Sequence, residues 1–329
     1  MTIRWGIAGT GAMAEEFVRD FAHVSGARIT AVGSRRPASA EDFAARHGIA
    51  TAHGSYRALI ESADVDVVYV ATPHPQHHAI ARAAIEAGKA VLVEKAFTAT
   101  LAGAQDLVDL ARARGVFCME AMWTRFQPAV VQARALVDSG EIGEVRTVQA
   151  DLGAYRTYDP ASRLFATDLG GGATLDLGVY LVSIAQHFLG SPARVHAAGS
   201  AYPNGADATV SMLLAYDDGR SATLLASLES ETPGRAVIGG TLGSIEIAPR
   251  FHHPDTLVIR RPGVAAETLV LPPTGRGYCH EVDEVNRCLA AGLTESAVVP
   301  LQDTLDVQAA LESVLHQLGI TPHEDPTPL

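Results

Sequence analysis

Ile3-Arg4-Trp5-Gly6-Ile7-Ala8-Gly9-Thr10-Gly11-Ala12-Met13-Ala14, close to the start of the chain, carries its most informative local pattern. Residues 3–8 form a short apolar run that ends at glycine, the pattern of a buried strand. Residues 7–14 then fit G-x-G-x-x-G/A. Gly9 permits a tight turn, Gly11 lets the backbone approach a pyrophosphate, and Ala14 lets a helix pack close to the strand. Residues 13–24 carry helical spacing, so free N–H groups and the positive end of a helix dipole face the loop. Strand, glycine loop and helix in that order give a short motif its weight, and Gly9, Thr10, Gly11, Ala12 and Met13 become candidate cofactor contacts. An ordinary glycine turn is the plainer alternative.

The same rhythm continues to about residue 121. Strands are expected at 28–32, 66–71, 90–93 and 116–119, and helices at 41–47, 77–87 and 101–114, with Gly88 stopping the second of these. Apolar strands that do not alternate, each followed by a helix, predict a parallel sheet covered on both faces. After Trp123 the rhythm changes. Helices are expected at 128–138 and 174–188 and a long strand at 144–152. Short strands follow at 194–199, 209–216, 221–227, 236–238, 244–247, 257–260 and 267–271. Asp217-Asp218-Gly219 is a hairpin turn signature. Helices at 281–290 and 303–318 close the chain, and the Pro-rich residues 321–329 are expected to lack regular structure. The predicted fold is α/β. An N-terminal Rossmann domain, residues 1–121, holds a doubly wound parallel sheet. A C-terminal α+β domain, residues 122–329, holds an open, mainly antiparallel sheet.

Composition agrees with two such domains. The chain has 329 residues, 47% hydrophobic and 19% charged, which allows a sizeable core and excludes a wholly disordered chain. Lys plus Arg is 25 and Asp plus Glu is 37, a formal charge of −12 that argues against binding nucleic acid or an anionic membrane through bulk charge. Cys118, Cys279 and Cys288 are too scattered for a disulfide framework or a structural zinc site and suit a reducing compartment. No apolar run approaches the roughly 18 residues of a membrane span. Arg4, Glu15 and Glu16 interrupt any secretory pattern, so a soluble, cytoplasmic protein is expected.

Three further segments carry candidate chemistry. An NAD site usually places an acid about 20 residues beyond the glycine loop, to hold the ribose 2′-hydroxyl. Here the chain reads Ala31-Val32-Gly33-Ser34-Arg35-Arg36, with no acid before Glu41. Two guanidiniums and the Ser34 hydroxyl suit a 2′-phosphate, so NADP is expected over NAD. Two solvated loop arginines are the alternative. The strand at 66–71 runs into Thr72-Pro73-His74-Pro75-Gln76-His77-His78, at the end of the sheet where such folds bind ligands. Thr72, Pro73, His74 and His77 are expected to line the cofactor cleft. A solvated histidine cluster and a metal site from His74, His77 and Glu94 are the alternatives, and no metal-ligand motif supports the latter, so no metal is expected. Residues 91–93 run into Glu94-Lys95. A lysine there can act as general acid or base if its pKa is lowered, as a cationic nicotinamide would do and Glu94 would oppose. Taken alone, it reads as a surface lysine.

The last segment is Gly170-Gly171-Gly172-Ala173-Thr174-Leu175-Asp176-Leu177-Gly178-Val179-Tyr180. On a helix Asp176 and Tyr180 share a face. The glycines let another chain or a ligand come close to the helix start. Tyr180 can relay a proton to a substrate oxygen and Asp176 can orient a hydroxyl. A capping acid and a half-buried tyrosine are the alternative. Trp123 and Arg125 offer an aromatic wall and a cation for a ring or sugar substrate, or equally packing between domains.

Gly9–Ala14, Ala71-Thr72-Pro73-His74, Glu94-Lys95 and Asp176-x-Gly-x-Tyr180 resemble the glucose–fructose oxidoreductase and inositol dehydrogenase family. The segments His74-Pro75-Gln76-His77, Met119-Glu120-Ala121-Met122-Trp123-Thr124-Arg125-Phe126 and Gly171–Tyr180 are most similar to its branch of dimeric dihydrodiol dehydrogenase and NADP-dependent D-xylose dehydrogenase. The likeness spans most of the chain, strong through Tyr180 and thin beyond. It implies Lys95 and Tyr180 beside the reacting carbon with Asp176 next to them, and His74 and His77 lining the nicotinamide or substrate site. It also implies Arg35, with Arg36 or Ser39, on the 2′-phosphate, and a homodimer or higher homo-oligomer formed through the C-terminal sheet. Inositol-type members carry His where Tyr180 stands. The family usually reads Glu-Lys-Pro, and its proline shapes the lysine loop; Ala96 stands there instead. The expected function is an NADP-dependent oxidoreductase moving hydride between nicotinamide and a hydroxyl-bearing carbon of a sugar, polyol or trans-dihydrodiol. The alternatives are a catalytically silent NADP-binding sensor or partner protein, which Ala96 favours, and a sugar-cleaving enzyme with tightly bound NAD, which the arginine pair disfavours.

Overall fold

Strand β1 (Ile3–Ala8) buries Trp5, Ile7 and Ala8 completely, so both of its faces are covered. This is the setting of a parallel strand between helices. In a computed structural model of the chain, which describes residues 2–326 and 329, β1 is followed by α1 (Ala12–Asp20), β2 (Ala27–Gly33), α2 (Pro37–His47), β3 (Thr51–His53), α3 (Tyr56–Glu61) and β4 (Val67–Val70). Then come α4 (His77–Glu86), β5 (Ala90–Glu94), α5 (Leu101–Arg114) and β6 (Cys118–Ala121). The sheet order is β3-β2-β1-β4-β5-β6, and every pair is parallel. The order reverses between β1 and β4, which makes their C-terminal ends the binding crevice of a doubly wound sheet.

Two elements of this sheet lie outside the pattern expected from sequence. β3 has three residues and α3 has six, the latter started by Ser55, whose Oγ accepts the Ala58 N–H at 3.1 Å. Neither is long enough to show a period. β6 begins at Cys118 rather than 116, because the end of α5 consumes those residues: Gly115 is left-handed and Val116 N–H bonds back to Ala111 O at 3.0 Å.

The second sheet follows α6 (Pro128–Asp138). Its elements are β7 (Val145–Gly153), α7 (Val179–Leu189), β8 (Arg194–Ala201), β9 (Asp207–Ala215), β10 (Ser221–Ser227), β11 (Ala236–Gly240), β12 (Ser244–Ile247), β13 (Thr256–Arg260) and β14 (Glu267–Val270). The order is β14-β13-β12-β11-β7-β10-β9-β8, antiparallel throughout except for the β7–β10 pair. Asp217-Asp218-Gly219 closes the β9–β10 hairpin, with Gly219 at φ +81°. α7 packs on β7 and β10, while Ser211 and Leu213 alternate outward on β9. The expected α/β fold, a parallel Rossmann sheet plus an open and mainly antiparallel one, is the observed fold.

α8 (Tyr278–Ala290) and α9 (Leu301–Gln317) end the chain. By packing, one unit comprises Met1–Met122, Thr274–Leu305 and His323–Leu329, and the other Trp123–Pro273 and Asp306–Pro322. The single cut at residue 122 expected from sequence therefore differs from the packing, because α8 returns to the parallel sheet. Asp20, at the end of α1, accepts the N–H groups of Arg276 (2.8 Å), Tyr278 (2.7 Å) and Cys279 (3.3 Å), and Trp5 Nε1 donates to Asn286 Oδ1 at 3.2 Å. Residues 323–326 have no helix or strand, as expected, yet they are tied down. Glu324 Oε1 accepts the Thr100 N–H and hydroxyl, each at 2.8 Å, and Asp325 N–H donates to Pro75 O at 2.7 Å. All three cysteines are free and buried, and burial raises each thiol's pKa, so none is a thiolate at neutral pH. Among the described residues, no helix is long and apolar enough to cross a membrane.

Candidate active site

The glycine loop sits at the end of β1. Gly9 has φ +119°, and a Cβ there would lie 2.6 Å from Ala71 O, so only glycine fits between β1 and the end of β4. Gly9 N–H donates to Gly33 O at 3.0 Å, which draws the end of β2 to the same place. Gly11 is different: a Cβ built on it meets nothing within 4 Å. Gly11 and Ala12 are exposed, and Thr10 and Met13 are half-buried. No side chain caps the start of α1, so its first N–H groups face this open cradle, as a pyrophosphate requires. Thr72 Oγ1, at the end of β4, is buried without a hydrogen-bond partner. A cradle with room over Gly11, an uncapped helix start and an orphaned hydroxyl beside them fit a dinucleotide.

Ser34, Arg35 and Arg36 close β2. Ser34 is buried and its Oγ accepts the Arg36 N–H at 3.2 Å, while both arginines are exposed. Burial raises the pKa of the Tyr56 hydroxyl, and the nearby charges of Arg35 and Arg36 oppose that rise. The pair is therefore displayed at the strand end where a ribose 2′-substituent is read.

β4 and β5 end in loops that His77 joins. Its Nδ1 lies 2.9 Å from Ala96 O and its Nε2 2.7 Å from Thr72 O. This corrects the expectation that His77 lines the cleft: the side chain is fully buried and both nitrogens meet backbone. Burial, and to a lesser extent the charge of Lys95, holds its pKa down at about 4 against the pull of the carbonyls. The ring is neutral at pH 7, and its single N–H serves one carbonyl at a time. His74 is also buried, edge-on to His77 with ring centres 5.7 Å apart, and Pro73 is half-buried. Glu94 lies inside the unit, where its oxygens accept the Tyr69 hydroxyl at 2.5 Å and the Lys95 N–H at 3.2 Å. Lys95 thus leaves β5 on a loop held through its backbone, and the Lys95–Ala96 peptide is cis.

In the other unit, residues 174–178 form a π-helical turn that leads into α7, so Asp176 and Tyr180 do not lie on one regular α-helix. The wider turn starts on a buried acid: Asp207 Oδ2 accepts the Thr174 N–H at 2.6 Å and its hydroxyl at 2.7 Å. The glycines admit protein here. A Cβ on Gly171 would meet Arg163 O at 2.7 Å, and one on Gly172 would meet Asp207 Oδ1 at 2.0 Å. Asp176 Oδ1 accepts from Arg163 Nη2 at 2.9 Å. Tyr180, Trp123 and two histidines that sequence reasoning passed over form one cluster. Trp123 Nε1 donates to the Tyr180 oxygen at 3.1 Å, the His252 ring lies 5.0 Å from that of Tyr180, and the His253 ring lies 5.7 Å from that of Trp123. Arg125 is buried and bonds to Ser183 and Gln186 on α7.

One buried carboxyl stands apart. Glu281 on α8 is fully buried, and neither of its oxygens has a hydrogen-bond partner. Burial first, and then the negative charges of Glu94, Asp20 and Glu120, push its pKa well above the usual carboxylate range. The folded chain therefore holds this proton more tightly than the unfolded chain. Its contribution to stability is complete below the unfolded pKa and is lost as pH rises toward the folded value. Glu281→Gln removes that slope, so the Tm difference, variant minus wild type, should grow in the variant's favour from about pH 5 to about pH 9. A difference that stays flat across that range would show Glu281 ionised throughout.

A sheet of order 3-2-1-4-5-6 with an open glycine cradle at its switch point, followed by a large open sheet, defines a two-domain NAD(P)-dependent dehydrogenase. The profile of an oxidoreductase family with an NAD-binding Rossmann fold matches residues 3–122, and that of the GFO/IDH/MocA C-terminal domain matches residues 130–246. The chain belongs to the GFO/IDH/MocA oxidoreductase family. It is 34% identical over 338 residues to the trans-1,2-dihydrobenzene-1,2-diol dehydrogenase of Bos taurus and 35% identical over 341 residues to that of Mus musculus, with 99% of each chain covered in both cases. Among solved structures it resembles a 3-ketoreductase from Actinomadura kijaniata in complex with NADP and TDP-benzene, with a TM-score of 0.84 and 28% identity over 96% of this chain and 98% of that one. It also resembles an aldose-aldose oxidoreductase from Caulobacter crescentus complexed with glycerol, with a TM-score of 0.88 and 25% identity over 97% and 98% of the two chains.

Proposed function

We propose that this dehydrogenase uses NADP to oxidise or reduce a hydroxyl-bearing carbon of a trans-dihydrodiol, sugar or cyclic polyol. The observation that carries the reading is the loop layer around the glycine cradle, where Lys95 leaves β5 on a backbone that His77 joins to the Thr72 loop. When bound, the nicotinamide accepts or returns a hydride. Lys95 or Tyr180 takes the hydroxyl proton, and Asp176, steadied by Arg163, holds a neighbouring hydroxyl. The relatives named for a dihydrodiol and the neighbour that acts on aldoses support this substrate range. Purified protein, NADP or NAD, and a panel of dihydrodiols, aldoses and polyols would test it through the absorbance of reduced cofactor. Turnover with one ligand class supports the proposal. Tight NADP binding with no turnover on any class would replace it with a silent NADP-binding protein.

Ser34, Arg35 and Arg36 are proposed to hold the 2′-phosphate. Replacing both arginines by alanine should raise KM for NADP by about tenfold or more, since each guanidinium offers charge-assisted hydrogen bonds, and should leave KM for NAD nearly unchanged. Equal change for both cofactors would remove the assignment. We further propose a cytoplasmic homodimer in which a second copy covers the outward face of β9 and β10, where Leu213 is exposed. A monomeric mass by light scattering would exclude that dimer.

A further inference from the structure

We infer that residues 323–326 form a strap that fixes the spacing of two loops at the candidate site, with Glu324 as the positioning residue through which it holds Lys95 in place. The inference rests on the proposed reading of Lys95 as a proton carrier. The two loops are residues 71–76, after β4, and residues 95–100, after β5. His77 joins them once, with one ring nitrogen 2.9 Å from Ala96 O and the other 2.7 Å from Thr72 O. A neutral ring has a single N–H, so this join satisfies one carbonyl at a time. The strap joins the same loops again, at different residues. Glu324 Oε1 accepts the Thr100 N–H and hydroxyl, each at 2.8 Å, and Asp325 donates its N–H to Pro75 O at 2.7 Å. Pro75 belongs to the buried 3-10 turn His74–Gln76, and Thr100 is the N-cap of α5. Two neighbouring residues of one segment therefore hold both loops near their ends.

The seat is shaped for the carboxylate. Gly103, in the first turn of α5, is buried, and a Cβ there would lie 2.5 Å from Glu324 Oε1 and 3.1 Å from Glu324 Cδ. Thr100 Oγ1 accepts the Gly103 N–H at 3.0 Å, which is its capping bond. By donating its own proton to Glu324, the hydroxyl is fixed in that capping role. Between Lys95 and Thr100 the chain has little slack. Ala96, Phe97, Thr98 and Ala99 are buried, and Thr98 Oγ1 donates to Thr100 O at 2.7 Å. A close-packed loop transmits a shift rather than absorbing it, so movement of Thr100 is passed back to Lys95. A misplacement of about 1 Å is enough to cost turnover. The strap's bonds fall on Thr100 and Pro75 rather than on the glycine cradle or the Ser34–Arg36 loop, so turnover should suffer more than cofactor affinity.

The test uses the full chain with Glu324→Ala, Glu324→Gln and Gly103→Ala. Glu324→Ala removes the acceptor of both Thr100 donors. Amide exchange should become about tenfold faster in peptides covering residues 72–78 and 95–103, and stay unchanged in one covering residues 5–14. In the same variant kcat should fall about tenfold, with KM for NADP within about twofold of wild type. Glu324→Gln keeps one acceptor oxygen and should retain about half of the wild-type kcat or more. Gly103→Ala crowds the carboxylate while giving α5 a better helix former, so it should repeat the loss seen in Glu324→Ala without weakening the helix. In a Lys95→Ala background, Glu324→Ala should have little further effect on kcat. Unchanged exchange at residues 72–78, a near-normal kcat in Glu324→Ala, or an equal loss of kcat with and without Lys95 overturns the inference. Lys95→Ala with full activity would instead remove the reading of Lys95 itself, while the exchange rates would still decide whether the strap holds the loops, which keeps the two failures distinct.

Discussion

Lys95→Ala should lower kcat by about 10²–10⁴-fold, the range supplied by a positioned general acid or base, while the affinity for NADP changes little. The separation follows from how the loop is held. Its bracing contacts use the Lys95 N–H on Glu94, the Ala96 carbonyl on His77, and the Phe97 N–H on Glu120 at 3.1 Å. All three are backbone groups, so alanine at position 95 keeps them. What it deletes is the side chain beyond Cβ, the ammonium included. Lys95→Arg should also fail, because a guanidinium remains charged and does not exchange a proton near neutral pH. Steady-state kinetics paired with a fluorescence titration of NADPH checks both statements. Equal losses in turnover and in cofactor affinity would make Lys95 a binding residue and leave Tyr180 as the proton carrier.

The division between what sequence shows and what it hides follows the range of the interactions. The glycine loop was legible because strand, turn and helix start are contiguous, and their chemistry needs residues only a few positions apart. α5 and β10 were placed residue for residue because each is long enough to show its period. The same reading missed the π turn at 174–178. Its cause is Asp207, more than thirty residues away, which holds the Thr174 N–H and hydroxyl. His77 illustrates a subtler failure. Its position at a strand end was read correctly, but sequence cannot show that both ring nitrogens turn to backbone. His252 and His253 follow β12 in a segment with no motif, and only the fold brings them to Tyr180 and Trp123. Glu281 had no signal at all, since nothing local marks a helical glutamate that will be buried among other acids.

Asp20→Ala should be the most destabilising of the substitutions considered, at about 3–5 kcal/mol, because three backbone donors lose their acceptor together. Asp20 is 4% exposed and serves as a remote cap for α8. Gly277, at the N-cap position, has no side chain to do this, and the carboxylate also meets the positive end of the helix. The approach is close: a Cβ on Gly275 would lie 2.3 Å from Asp20 Oδ1, so the turn before α8 is shaped around the acid. One effect opposes the loss. The negative charge of Asp20 disfavours ionised Glu281, and its removal relaxes that repulsion. Because Glu281 is held protonated by burial first, this relief is small beside three orphaned N–H groups. Asp20→Asn, which keeps one acceptor oxygen, should fall between wild type and alanine. Urea denaturation followed by far-ultraviolet circular dichroism would measure the series, with Tm expected to fall by about 10 °C or more for alanine. A loss below about 1 kcal/mol would mean that water reaches the start of α8 and satisfies those donors as well as Asp20 does.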